Sequence, residues 1–318
     1  MSWPIIFSGK KWIFDSDEEP NEILQKVDEF IVAGSHEKKD DYKKLFADRS
    51  AAEFVYSSNL MEKTLPPGAS KHQTFSCLET IFQTGEHGSS SAFLWNADGG
   101  KNQDEMRSQM FQHCTALHLA GVWSRDPLHR LSADQVCELH RILMLNSTDE
   151  NGAALEVGEI RKCGAFTSGH VYPEASMAGL ERAIEKYYVS LEKKDHFLIS
   201  AVILFYEVIQ EHPFQDGNGR LCRLLLNYAL ERAGFPFAVP LTSGHSKARK
   251  HYILAIRNAQ NRDTGCPPNQ LLVDLICLVL KSCYHKIINF EANLARMTAA
   301  ESFKTLQYAA ISSSNSRR

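Results

Sequence analysis

Along most of the chain apolar residues recur at the spacing of an amphipathic helix, and strand-like alternation is confined to one stretch. Residues 50 to 63, "SAAEFVYSSNLMEK", predict a helix that stops before "TLPPG". "QDEMRSQMFQHCTALHLAGV" predicts another. "SADQVCELHRILM" opens on Ser132 with Gln135 three residues later, the pattern in which two side chains cap a first turn reciprocally. "ASMAGLERAIEKYYVSLEK", the apolar run from Phe197 to Ile209, "RLCRLLLNYALERAG", "KARKHYILAIRNAQN" and "NQLLVDLICLVLKSCYHKIINF" predict further helices. Between Glu156 and Glu174, "EVGEIRKCGAFTSGHVYPE" breaks that period, with Thr167-Ser168-Gly169 as turn residues between two short strands, a lone hairpin. The expected class is all-α, a helical bundle with a small β-hairpin and an N-terminal helical extension.

The chain divides by composition. Residues 1–63 form the extension, charge-rich and weakly amphipathic over 18 to 46. Residues 64–104 carry Pro-Pro, "EHGSSS" and "NADGG" and read as a loop-rich connection with one short helix around "SCLETIF". Residues 286–318 read as a C-terminal helix ending in a frayed tail, "SSSNSRR".

Composition narrows the functional classes. With 35 basic and 38 acidic residues among 318, the net charge of −3 supplies no global field toward nucleic acid or an anionic membrane, so any anion must be bound locally. The eight cysteines, Cys77, Cys114, Cys137, Cys163, Cys222, Cys266, Cys277 and Cys283, are scattered without a CxxC pair, which points to reduced thiols. The start "MSWPIIFSGKKWIF" lacks the layout of a secretory signal, and the run Phe197–Ile209 is too short to span a bilayer. A cytoplasmic protein is therefore expected, whose Asn146-Ser147-Thr148 sequon meets no glycosyltransferase. "HEKKD" at His36 fails as a zinc-protease motif at Asp40, and neither a GxxxxGK(S/T) loop nor a GxSxG elbow occurs.

The densest chemistry lies in "EHPFQDGNGR", residues 211 to 220, set between two apolar helical runs. Pro213 cannot continue a helix, so the first run ends near Glu211 and His212 sits at its exit. Gly217 and Gly219 permit positive φ and close backbone approach where the next helix starts, which aims several N–H groups into one anion nest. On that otherwise apolar helix Arg220, Arg223, Asn227 and Glu231 trace a single stripe. Its two guanidiniums suit a phosphate chain or a carboxylate. Asp216, the sole acid of the loop, fits a magnesium ligand, and His212 a proton acceptor. Taken singly, His212 reads equally as a capping histidine and Arg223 as the partner of a structural carboxylate; the neighbours promote them.

His212-Pro213-Phe214-Gln215-Asp216-Gly217-Asn218-Gly219-Arg220, with Arg223 following, resembles the Fic (Fido) family motif HPFx(D/E)GNGRxxR at every defined position. The resemblance covers residues 105–285 by element order and implies a Fic-type helical bundle as the core there, and a protein AMP-transferase using ATP with Mg²⁺, or Mn²⁺ in its place. By the same resemblance His212 deprotonates a target Ser, Thr or Tyr hydroxyl, and Asp216 holds the metal. Gly217, Asn218 and Gly219 cradle the α- and β-phosphates, and Arg220 and Arg223 hold the β- and γ-phosphates, while Phe214 is a core anchor. The hairpin resembles the family's flap, so Phe166, Thr167, Ser168, Gly169, His170, Val171 and Tyr172 would pair with the target's main chain. Arg161 resembles the arginine preceding that flap, and Tyr252 and Asn261 are carried over as adenine contacts.

Ser58-Asn59-Leu60-Met61-Glu62-Lys63 resembles the inhibitory (S/T)xxxE(G/N) motif of class II members through its glutamate, with Lys63 where the family has Gly or Asn. Ser58 and Glu62 share a helix face, and Glu62 would pair with Arg223, occupying the fork that the γ-phosphate needs. The implied partners are a protein with an acceptor hydroxyl, the chain itself included, and, as is common in the family, a second copy in a homodimer; nucleic acid and membrane are not expected. Removal of AMP at the same site, transfer of another nucleotide and a catalytically silent nucleotide-binding regulator stay open. Phosphate transfer is disfavoured because Gly219 is present.

Overall fold

The computed structural model describes residues 19–33, 40–65, 71–84, 102–149, 151–167, 169–241, 248–261 and 268–315. The chain is helical apart from one hairpin: α1 (Pro20–Ala33), α2 (Asp40–Met61), α3 (Lys71–Thr84), α4 (Asn102–Arg125), α5 (Ala133–Leu143), β1 (Ala165–Thr167), β2 (His170–Tyr172), α6 (Met177–Glu192), α7 (Phe197–Glu211), α8 (Asn218–Arg232), α9 (Ala248–Gln260), α10 (Pro268–Leu271) and α11 (Val273–Asn315). The all-α class with a small hairpin is thus observed. The helix read from residue 50 begins already at Asp40, and the tail read as frayed is helical through Asn315. Both differences have one cause: polar stretches without helix breakers carry a helix onward once its neighbouring turns are formed.

Among the described helices α7 is the most apolar, and eleven of its residues, from Leu198 to Ile209, are buried against α6 and α8. The next helix, α8, is buried from Asn218 to Ala229 on nearly every face, because α4 and α5 cover the side that α7 leaves. The two central helices are joined by the motif loop, so that loop is held at the middle of the bundle.

The N-terminal helices are packed parts of this body. Phe30, Phe46, Phe237 and Phe290 form an aromatic cluster, with Phe46 and Phe237 ring centroids 4.8 Å apart edge to face. Such rings contribute their buried area and about 1 kcal/mol more per well-oriented pair. Lys286 on α11, 4% exposed, donates to Glu53 Oε2 of α2 at 2.5 Å, which pins α2 from behind. The capping box at Ser132 and Gln135 forms as read. Cys114, Cys137, Cys222, Cys277 and Cys283 are buried free thiols, and Cys163 is an exposed one. Among the described residues no helix is long and apolar enough to cross a membrane.

Candidate active site

The site begins where α7 stops. Pro213 denies the preceding residue the helical conformation, and His212 caps α7 in the left-handed region at φ 46 and ψ 56. That turn swings its imidazole into a cavity of about 890 Å³ shared with Glu62, Asp216, Gly219, Arg223 and Tyr252. The Tyr172 ring stacks on it, centroids 4.2 Å apart and planes 23° from parallel. Burial, then the Arg161 guanidinium, push its pKa down to about 4, against smaller opposing effects of the Ile209 carbonyl and Asp216. Nδ1 has no well-aligned hydrogen-bond partner. The imidazole is therefore neutral at pH 7 and free to accept a proton.

Arg161 is 3% exposed and serves as the staple of this turn. Its Nε donates to the His212 carbonyl at 2.5 Å, Nη2 to the Glu211 carbonyl at 3.3 Å and Nη1 to the Cys163 carbonyl, while its backbone N–H donates to the Pro213 carbonyl at 2.9 Å. The carbonyls freed by the end of α7 are thereby satisfied and the root of the hairpin is tied to the base-bearing turn.

The loop from Phe214 to Asn218 locks on itself. The Asn218 side chain accepts from the Phe214 N–H at 3.0 Å and donates to the Phe214 carbonyl at 2.7 Å. Its amide is thus spent on the loop, and Asn218 faces the cavity with what the fold leaves over. Gly217 takes φ 75 at the N-cap of α8, and a Cβ there would lie 2.6 Å from Met144 Sδ. Glycine is required on both grounds. Asp216 is exposed toward the cavity, and its Oδ1 accepts from the Gly217 N–H at 2.7 Å. Among the described residues no cluster of three or more His, Cys, Asp or Glu could hold a metal alone. One free carboxylate beside an anion nest suits a magnesium ion that shares its other ligands with water and phosphate.

The two arginines differ. Arg220, 2% exposed, donates through Nη1 to Gln109 Oε1 and through Nη2 to Met144 Sδ, both at 2.9 Å; it has no carboxylate partner within hydrogen-bond reach, and its Nε is unpartnered. Burial pushes its pKa down. Arg223, 1% exposed, donates through Nε to Ser58 Oγ at 2.9 Å, through Nη2 to the Ser58 carbonyl at 3.2 Å and to Glu62 Oε1 at 2.6 Å, and through Nη1 to Tyr252 OH at 3.5 Å. Burial pushes the Glu62 carboxyl up, but the charge and hydrogen bond of Arg223, aided by Arg220 and Arg249, hold it below its ordinary value. Further along the polar stripe, Asn227 binds both the N–H and the carbonyl of Val239, and Glu231 pairs with Arg125, so only its first two members belong to the site.

Glu62 is delivered by the way α2 ends. The Thr64 N–H donates to the Asn59 carbonyl at 3.0 Å and the Lys63 N–H to the Leu60 carbonyl at 3.2 Å, with Lys63 left-handed at φ 58. This is a Schellman ending, which explains why glycine or asparagine suits the position after the glutamate. Lys63 makes the same turn at the cost of strain, so helix termination is unchanged. The Arg249 Nε–H caps the Met61 carbonyl at 3.1 Å.

The structure brings together His212, Asp216, Asn218, Gly219, Arg223, Tyr252, Glu62, Phe166, Thr167 and Tyr172 around one cavity. Arg220 and Ser58 stand buried behind it. The hairpin has the register Ala165 with Tyr172, Phe166 with Val171 and Thr167 with His170; Gly169 turns at φ 79, and Ser168 lies outside the described residues. Phe166 and Val171 are 72% and 69% exposed, cross-strand neighbours on the hairpin's open face. Asn261 is exposed at the end of α9 and outside the cavity lining, whereas Gln260 lines it and donates to Tyr172 OH at 3.0 Å. Sequence reasoning missed Gln260, His140, Met144 and Gln109. Gln260 is one residue from the position read, but a helix turns by about 100° at each step.

A left-handed histidine exit, a self-locked glycine loop and an arginine-lined helix N-terminus thus meet inside a helical bundle. The Fic/DOC family model matches residues 130–230. The protein adenylyltransferase Fic of Nematostella vectensis is 36% identical over 110 residues, 33% of this chain and 24% of that protein. Its namesake in Drosophila melanogaster is 32% identical over 124 residues, 38% of this chain and 24% of that protein. The matched region thus spans about a quarter of those relatives. Among solved structures, a Fic-domain-containing signaling protein from Bacteroides thetaiotaomicron superposes with a TM-score of 0.62 at 20% identity, covering 85% of this chain and 94% of that one. A Fic-1 fragment from C. elegans gives 0.59 at 19%, covering 87% and 73%. These two share the fold.

Proposed function

We propose that the protein transfers AMP from ATP to a Ser, Thr or Tyr hydroxyl of a protein, and that Glu62 restrains it. The observation that carries this reading is a neutral His212 in the same cavity as a buried Arg223 whose guanidinium is occupied by Glu62. His212 takes the proton of the acceptor hydroxyl, whose oxygen bonds to the α-phosphorus as the bond from that phosphorus to the β-phosphate bridge breaks. Pyrophosphate leaves. The N–H groups at the start of α8 and the guanidiniums of Arg220 and Arg223 meet the charge that develops on the phosphates. Asp216 would hold Mg²⁺, which supplies charge neutralisation to the leaving phosphates when bound. The free edge of β1 would take the target's main chain as an added strand. With Glu62 on Arg223, the γ-phosphate lacks its fork.

The test uses ATP labelled at the α-phosphate, Mg²⁺ and cell lysate, given to wild type, Glu62→Gly and Glu62→Gly/His212→Ala. Label is expected in protein with Glu62→Gly and in neither of the others. Label from the double variant would remove His212 from its role, and an unlabelled Glu62→Gly lane would sink ATP-driven transfer. A second reading, removal of AMP, is favoured by the Glu62 carboxylate, which lines the cavity with its side chain 33% exposed and would orient a hydrolytic water. In that case wild type releases AMP from a modified protein and Glu62→Gly does not.

A further inference from the structure

His140 lies outside the motif and does not line the cavity, yet its ring joins three segments. On α5 it belongs to the buried face, 2% exposed, and it stacks on Phe214 with centroids 3.7 Å apart and planes 5° from parallel. Nδ1 accepts from the Gly158 N–H at 2.9 Å, an amide of the segment that leads to the hairpin. A nitrogen that accepts from a backbone N–H bears no proton, so in the neutral ring Nε2 is the donor, and it lies 2.9 Å from the Asp216 carbonyl. Both nitrogens are spent and the tautomer is fixed.

One turn on, Met144 completes the support. Met144 Sδ receives the Arg220 Nη2 hydrogen bond, and the place where a Gly217 Cβ would sit is 2.6 Å from that sulfur and 3.2 Å from His140 Nε2. His140 and Met144, neighbours on one helix face, thus form the floor beneath Asp216, Gly217 and Arg220. The Asp216 backbone is held from below by His140, and its carboxylate from the side by the Gly217 N–H. An ordinary core histidine would satisfy one nitrogen and pack; this one is wired to the peptide of the single loop carboxylate.

We propose that His140 is a positioning residue for Asp216, fixing through its Nε2–H the backbone from which the metal-binding carboxylate projects. This rests on Asp216 being the metal ligand of the proposed reaction. Partners that orient a ligand through a hydrogen bond typically change metal affinity by about 10- to 100-fold when removed.

The test measures Mn²⁺ affinity by electron paramagnetic resonance, with a non-transferable ATP analogue present, in full-length Glu62→Gly protein and the same protein carrying His140→Phe or His140→Gln. Phenylalanine keeps the stack and removes the donor; glutamine offers an amide donor. The expected result is an Mn²⁺ affinity about tenfold weaker in His140→Phe, recovered at least in part in His140→Gln, while analogue affinity without metal is equal in all three. The imidazole ¹⁵N shifts of the parent should show an Nε2-protonated ring. Metal affinity unchanged in His140→Phe, with only the melting temperature lowered, would overturn the proposal and leave the reading of Asp216 standing. A parent that binds the analogue but no Mn²⁺ would overturn Asp216 as metal ligand and the role of His140 with it.

Discussion

Glu62→Gln preserves the shape of the Arg223 contact and one acceptor oxygen while removing its charge. At 2.6 Å and an effective dielectric of about 20, two unit charges attract by about 6 kcal/mol before solvation is counted. The Glu62 side chain is 33% exposed and would regain hydration, whereas Arg223 at 2% would not, so a net loss of about 2 kcal/mol is the working figure. Without nucleotide the variant should therefore melt about 3 °C below wild type. On the proposed reaction wild type must break the same pair before a γ-phosphate can use the guanidinium, which would make its apparent nucleotide affinity about 30-fold weaker. At a nucleotide concentration 100 times the variant's Kd, the variant gains about 2.7 kcal/mol and wild type about 0.9. The two proteins should then melt nearly together. Differential scanning fluorimetry across a series of α,β-methylene ATP with Mg²⁺ reads both ends of this comparison. Equal melting in the absence of nucleotide, or identical shifts at every concentration, would refute competition between Glu62 and the phosphate.

Three further outcomes follow from local geometry. Lys63→Gly relieves a left-handed lysine at φ 58 and should raise stability by about 1 kcal/mol in urea unfolding; a loss would mean that the Lys63 side chain matters more than its backbone. Asn218→Ala orphans the buried Phe214 N–H and carbonyl and should cost about 2 to 4 kcal/mol by the same method, and a loss under 1 kcal/mol would show that the loop holds without its lock. His140 and His212 are both pushed down to about 4 from an ordinary 6.5, so the unfolded chain binds more protons than the folded one between those values. Stability should be full above pH 6.5 and fall as pH drops to about 4, by on the order of 3 kcal/mol for His140 and less for the partly hydrated His212. A flat profile across that window would contradict both burials.

The motif loop could be read from sequence because its residues break two strong patterns at once. Polar side chains and glycines interrupt apolar helical runs, and Pro213 marks where the first must stop. Helix positions followed from periodicity, the capping box at Ser132 from side-chain chemistry and the turn at Gly169 from the backbone freedom of glycine. What stayed hidden was long-range. His140 and Met144 look like any amphipathic helix face, and nothing local says that they carry the loop. Gln109 gives no sign in sequence of receiving the Arg220 guanidinium. Arg161 reads in sequence only as a neighbour of the hairpin, yet its work of binding the carbonyls around His212 depends on how the chain returns to that point. Tyr172 read as part of a target-binding strand, whereas its ring packs on His212 and its hydroxyl is held by Gln260.

The stack of Tyr172 on His212 and the hydrogen bonds from Arg161 to the same turn tie the hairpin to the base, and on the proposed reaction that joint works as a ruler. A target strand added to β1 would present alternate side chains to opposite sides, so sliding it by one residue would carry the acceptor hydroxyl from the base to the solvent. Choice of acceptor would then be a matter of parity and distance along an extended segment. On that reaction, hydroxyls in dissimilar sequence contexts would serve as acceptors, provided the segment is exposed, extended and free of proline at the positions whose N–H the edge must receive.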